Sequence, residues 1–253
     1  MLRSRAMARL SVNLNKIALL RNSRRTGVPD LAAFARLAIE AGARGITVHP
    51  RPDERHIRRS DVPMLGQTIA AWRPGVELNI EGYPDARLLE IAAEVRAEQC
   101  TLVPDAPDAF TSEEGWKLGA DQMALVQPTI AALKRMGARV ILFIDPDPAV
   151  LDRVPASGAD GVEIYTGSYA AAFRAGHHDA ALDACAATAR AAAERGLVVN
   201  AGHDLNLHNL PPLVTRLPSL AEASIGHELT ADALLTGFAA AVEAYAKALA
   251  GAP

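Results

Sequence analysis

The segment GITVHPRPDERHIRRSD, residues 45–61, sets two histidines, four arginines and three acidic residues directly behind a short apolar run. Ile46, Thr47 and Val48 are β-branched, as a strand prefers. His49, Arg51, Arg55 and His56 follow at once. A strand ending in such groups has the chemistry of an anion site with proton-transfer residues beside it. Arginine presents a planar fork of donors that suits phosphate, and histidine titrates near neutral pH. Arg58 and Arg59 are expected on a solvated face.

Other apolar runs end in polar groups too. Asn13, Asn15 and Lys16 close the first, Asn79 and Glu81 the third, and Asp105, with Thr111 beyond it, the fourth. Asp145 closes the fifth, Glu163 and Thr166 the sixth, Asn200 and His203 the seventh, and His227 the eighth. An acid–base set of His49, Glu81, Glu163 and His203 emerges. Glu81 sits in the apolar wall ELNIEG, where desolvation raises a carboxyl toward base duty. Glu163 lies mid-strand in GVEIYTG; facing inward, it must find a partner or a proton.

Two loops, NAGHDLN (200–206) and SIGHELTAD (224–232), place a Gly-His pair after a strand and before a helix. Backbone amides and a helix N-terminus there would cradle an oxyanion. Arg51 and His56 would form a second anion site. Two such sites suit two phosphorylated substrates or one bisphosphate.

The elements that must position these groups recur in the pattern alanine-rich helix, glycine, short apolar strand, polar loop. Gly42, Gly137, Gly158 and Gly196 fall where helices should stop. The spacing predicts strands over Leu10–Leu14, Gly45–His49, Glu77–Ile80, Gln99–Val103, Val140–Ile144, Gly161–Tyr165, Leu197–Ala201 and Glu222–Ile225. Helices are predicted over Asp30–Ala41, Gln122–Met136, Ala180–Arg195 and Ala231–Leu249, among others. Repeated strand–helix units without a composition break predict an α/β protein: a single-domain (β/α)8 barrel over residues 1–253, with 1–8 a flexible N-terminal extension. An open doubly wound sheet is the alternative, but no G-x-G-x-x-G follows the first strand.

The 253 residues carry a net charge of −3, which gives no support for nucleic-acid binding. No apolar stretch is long enough to cross a bilayer. MLRSRAMARL lacks the apolar region of a secretory signal. Cys100 and Cys185 have no disulfide or zinc spacing and read as buried thiols, so a cytoplasmic location is expected. The same residues leave two other readings open. One is a divalent-metal aldolase or epimerase using His49, His203, Glu81 and Glu163, although Arg51 disfavours a cation nearby. The other is a barrel that binds a phosphorylated metabolite without turning it over. A Schiff-base aldolase would have only Lys16 to use.

Read together, SVNLNKIALLRNSR, GITVHPRPDERHI, NIEGYP, TLVPD, VEIYTG, VNAGHDLN and SIGHELT resemble the pyridoxine 5′-phosphate synthase family of the deoxyxylulose-dependent vitamin B6 pathway, from about Leu10 to Tyr245. The resemblance implies condensation of 3-amino-2-oxopropyl phosphate with 1-deoxy-D-xylulose 5-phosphate on a (β/α)8 barrel. It also implies a homo-octamer and chemistry without metal or organic cofactor. His49 and Glu81 fall on the family's proton acceptors, His203 on its proton donor and Glu163 on its transition-state stabiliser. Asn13, Arg24, Asp204, Gly226 and His227 fall on positions that hold the amino-ketone phosphate. Asn15, Lys16, Arg51, His56 and Thr111 fall on those that hold deoxyxylulose phosphate. The chain departs from the pattern at Asn15-Lys16, where many members have Asp-His, and at Asp204, where many have glycine. TSEEGW around Thr111 replaces the commoner TTEGG, and Pro50 replaces leucine.

Overall fold

The computed structural model describes residues 7–105 and 114–251. Thr111 and most of the expected N-terminal extension lie outside the described residues. The strands are β1 (Arg9–Asn13), β2 (Gly45–Val48), β3 (Glu77–Gly82), β4 (Gln99–Leu102), β5 (Arg139–Ile144), β6 (Gly161–Tyr165), β7 (Val198–Gly202) and β8 (Leu220–Ile225). They close into a parallel barrel in sequence order, with β8 pairing back onto β1. The helices α1 (Asn15–Asn22) and α2 (Leu31–Glu40) follow β1, α3 (Asp61–Thr68) follows β2, and α4 (Ala86–Val95) follows β3. Next come α5 (Ala120–Arg135), α6 (Val154–Ser157), α7 (Gly167–Arg174), α8 (Asp179–Glu194) and α9 (Leu210–Arg216). The last pair, α10 (His227–Thr236) and α11 (Phe238–Leu249), follows β8.

The predicted barrel is therefore the observed one. The helix stops hold as well: Gly42, Gly137, Gly158 and Gly196 all have positive φ. Asp30 caps α2 by accepting from Ala32 N, which satisfies one of the first-turn amides. The predicted helix Ala231–Leu249 is instead two helices. Gly237 separates them at φ 88°, ψ 148°, a conformation that only glycine adopts without strain.

A second difference concerns the strands' inner face. Their outward residues are apolar and sealed by the helices, among them Ile46, Val48, Leu78, Ile80, Leu102, Leu142, Ile164 and Val199. The inward residues are largely polar, so the lumen is a hydrogen-bonded stack and not the layered apolar filling usual in this architecture. At its base Arg9 and Arg139 both bond Glu77, and Arg139 Nη2 donates to Gln99 Oε1 at 2.7 Å. Gln99 Nε2 donates in turn to Glu222 Oε1 at 3.0 Å. One layer up, Ser11 Oγ and Thr47 Oγ1 are 2.7 Å apart, and Thr101 Oγ1 donates to Asn79 Oδ1 at 3.2 Å. The groups just named tolerate burial because they are paired, whereas Asn200 Oδ1 in the same lumen has no hydrogen-bond partner among the described residues. The stack carries the floor on which the upper residues stand.

Candidate active site

The upper layer gathers at the C-terminal ends of the strands. β3 runs two residues beyond its predicted end, which makes Glu81 a lumen-facing strand residue. Asn13 Nδ2 donates to Glu81 Oε2 at 3.4 Å, and His49 Nδ1 lies 3.8 Å from the same oxygen. His49 is placed through its backbone: His49 N donates to Asn15 Oδ1 at 2.9 Å. Asn15 is held in turn, its N donating to Asn13 Oδ1 at 2.9 Å. The asparagine at position 15 thus acts here as a strap between α1 and the end of β2.

The loop after β2 is pinned by two residues of α1. Asp61 accepts from Arg21 Nη1 at 2.6 Å and Nη2 at 2.9 Å, with both side chains 8 % exposed. Arg21 Nη2 and Asn22 Nδ2 also donate to His56 O, at 3.1 and 2.7 Å. His56 Nδ1 accepts from Ile57 N at 2.9 Å, so the neutral ring carries its proton on Nε2. Arg51, nearly buried, donates from Nη2 to Asp105 Oδ2 at 2.6 Å. Arg51 and Asp105 line one cleft together with His49, Glu81, Tyr83 and Arg87. Asp105 is the residue whose role the sequence left unread: it stands 54 positions from its partner, and no local spacing signals such a pair.

Glu163 points into the lumen from β6 and is 3 % exposed. Gly202 on β7 makes room for it, since a Cβ there would collide with Glu163 Oε1. His203 follows at φ 83° and Asp204 at φ 56°, uncommon values for non-glycine residues. Thr166 Oγ1 lies 2.6 Å from both Gly202 O and His203 O, which holds this turn. The His203 ring packs against Phe143 and Tyr165, with centroids 5.3 and 5.2 Å apart.

The electrostatics split the set. Burial pushes the Glu81 carboxyl up to about 7; Arg51 pulls against this and Asp105 adds to it. Burial, then the nearby Glu81 and Glu222, hold Glu163 well above the usual carboxylate range. The shift favours the proton-bearing form that an inward carboxyl requires. Burial, then Arg51 and the other imidazoles, keep His49 well below its ordinary value. Burial and Arg51 bring His56 to about 4, and burial lowers His203. The layer therefore sets imidazoles shifted toward their neutral form and carboxyls shifted toward their proton-bearing form around the Arg51–Asp105 pair.

The remaining predicted residues are more dispersed. Lys16 is half-buried and near enough to disfavour charge on His56 and His203. Gly226 caps α10 and His227 is its first residue, as the Gly-His pattern predicts; a Cβ on Gly226 would press on Asn13 at 3.0 Å. The other Gly-His pair does not cap a helix: residues 203–209 form turns before α9, because the left-handed His203 and Asp204 redirect the chain. The Asp204 carboxylate faces Arg174 at 3.9 Å. Arg24 is exposed and lines a separate cavity of about 330 Å³ with Arg21, Arg25, Gly27 and Arg58. This chain alone does not bring it to the His49–Glu81 cleft. Among the described residues, no three or more His, Cys, Asp or Glu gather as a metal-holding group. No helix among them is long and apolar enough to cross a membrane.

The fold is shared with distant barrels, including a tryptophan synthase structure from M. tuberculosis (TM-score 0.65, 15 % identity, covering 97 % of this chain and 94 % of that one). Sequence comparison is far more specific. Residues 10–251 match the family described as pyridoxal phosphate biosynthesis protein PdxJ. A pyridoxine 5′-phosphate synthase of Brucella suis is 49 % identical over 249 residues, spanning 96 % of this chain and 99 % of the relative. One of Albidiferax ferrireducens is 48 % identical over 96 % of this chain and 97 % of its own length. With the strand-end residues of the resemblance standing on one closed barrel, the chain belongs to the PdxJ family of pyridoxine 5′-phosphate synthases, a family of enzymes.

Proposed function

We propose that this chain is itself a pyridoxine 5′-phosphate synthase, joining 3-amino-2-oxopropyl phosphate and 1-deoxy-D-xylulose 5-phosphate into the pyridine ring with loss of phosphate and water. The observation that carries the reading is the facing pair His49–Glu81, 3.8 Å apart, in a cleft that also holds Arg51. The amine is on the substrate, so imine formation needs no enzyme lysine. The steps need protons moved repeatedly: dehydration, phosphate loss, enamine attack and aromatisation. His49 and Glu81 take protons, His203 returns one to a leaving oxygen, and the neutral Glu163 donates a hydrogen bond to charge that develops in the ring-closing state.

Arg51, with Nε2–H of His56, Asn15 and Lys16, holds the pentulose phosphate. Asn13, the Gly226–His227 turn and the Asp204 backbone hold the amino ketone, with Arg24 and Thr111 completing the two grips. Gripping both phosphates fixes the partners in register and removes much of the entropy of their meeting. Following the family resemblance, the protein works as a homo-octamer in the cytoplasm, without metal or organic cofactor.

The test is to mix both substrates with the purified protein and follow inorganic phosphate together with the absorbance of pyridoxine 5′-phosphate. The two signals are expected to rise in equal amounts. Phosphate without ring product, or neither signal, rejects the reading.

A further inference from the structure

Asp105 carries no role in the reaction as set out above, yet it is built into the site. Its carboxylate accepts from Arg51 Nη2 at 2.6 Å, with the two side chains 6 % and 5 % exposed. The Arg51 backbone is fixed as well: its N donates to His49 O at 2.9 Å, and its carbonyl accepts from Arg87 Nη2 at 3.3 Å. The guanidinium is therefore clamped at its tip and at its root. Glu81 and His49 line the same cleft.

This arrangement answers a conflict in the site. A lone guanidinium close to a carboxyl favours its ionised form by about one to three pKa units. The same guanidinium is wanted nearby for a phosphoryl group. The groups facing Glu81 are Asn13 from β1, His49 and Arg51 from β2 and its loop, Asp105 from beyond β4, and Glu163 across the lumen. Burial disfavours charge on His49 and Glu163, which leaves the ion-paired Arg51 and Asp105 as the opposed charges of this group. We propose that Asp105 is a positioning residue: it clamps Arg51 and offsets its charge beside Glu81, so one guanidinium can grip a phosphoryl group without silencing the neighbouring base. The inference rests on the roles proposed for Arg51 and Glu81.

The test uses the full chain. The Glu81 carboxyl is followed by ¹³C NMR titration without substrate, its signal identified by loss in Glu81→Gln, and kcat and KM are measured against pH. Asp105→Asn keeps an acceptor oxygen and removes the charge. It is expected to move both the Glu81 midpoint and the acid limb of kcat/KM down by about one pH unit, with KM for the pentulose phosphate unchanged or lower. Asp105→Glu restores the limb toward wild type. A fall in kcat with midpoint and limb unmoved overturns the proposal.

Should Asp105→Asn fail to fold, the charge-free pair Arg51→Gln/Asp105→Asn decides, since replacing both partners leaves no orphaned charge. Two cancelling fields leave its Glu81 midpoint near the wild-type value. A midpoint raised by a unit means that only Arg51 was felt, and rejects the clamp. Midpoints that shift as expected in a protein making no ring product would sink the proposed function alone.

Discussion

His49 Nδ1 and Glu81 Oε2 face each other at 3.8 Å, but they are not an ion pair at neutral pH. Burial and the Arg51 charge keep the imidazole neutral, while burial lets the carboxyl hold its proton up to about 7. The carboxyl can therefore exchange protons near neutrality beside an uncharged imidazole, which a locked ion pair could not do.

Activity should accordingly rise with pH through about 7, as Glu81 becomes a base. Glu81→Gln is expected to lower kcat by about 10²–10⁴-fold, the usual weight of general base catalysis. Binding of a phosphorylated substrate analogue should survive. Steady-state kinetics and calorimetric titration read the two effects separately; near-normal turnover removes Glu81 from the mechanism.

The same shift has a stability sign. The folded-state value of Glu81 is raised from 4.5 to about 7. Its favourable contribution is thus complete below about 4.5 and is lost as pH rises through 7, where a buried carboxylate must form. Glu81→Gln should match wild type in thermal unfolding at about pH 4, below the unfolded-state value. At pH 8 it should exceed wild type by on the order of 3 kcal/mol. Equal unfolding curves at both pH values contradict the burial argument.

Burial and the neighbouring carboxyls shift Glu163 toward its proton-bearing form, for which an amide is a close stand-in. Glu163→Gln should keep the fold and more activity than Glu163→Ala. Gly202→Ala should displace the carboxyl instead, because the added methyl meets the side chain's flexible end. A fall in kcat of about tenfold or more, with under about 1.5 kcal/mol of lost stability, is the expected pattern. Chemical denaturation beside rate measurements tells the two costs apart.

His203 holds a left-handed backbone, φ 83°. His203→Gly removes that strain and should be more stable than His203→Ala by about 1 kcal/mol or more. Both should lose activity alike, since neither can donate a proton. If the alanine variant is the more stable one, the turn is not strained.

Asp61→Ala strips Arg21 of its buried partner, a loss worth about 3–5 kcal/mol. Because Arg21 also holds His56 O, KM for the pentulose phosphate should rise. An unchanged KM would separate the loop's stability from its grip.

Much of this protein is legible along the chain. The helix-stop glycines and apolar runs announce eight strand–helix units, since those signals are local. Polar residues at the strand ends mark the site's rim, and His49, Glu81, Glu163 and His203 stand out by residue type and place. The break at Gly237 was hidden, because one glycine in an alanine-rich helix looks tolerable until its φ is known. The polar lumen was hidden because inward and outward residues alternate, and only closure of the sheet tells which is which.

What the sequence determines alone is the list of elements and the chemistry each can bring, since both rest on neighbours a few positions apart. What only the folded barrel decides is which groups meet and how they titrate. Arg51 finds Asp105 across 54 positions, and Gln99 finds Glu222 across 123. Burial and the fields of such distant partners, which no local pattern encodes, set the protons on Glu81 and Glu163.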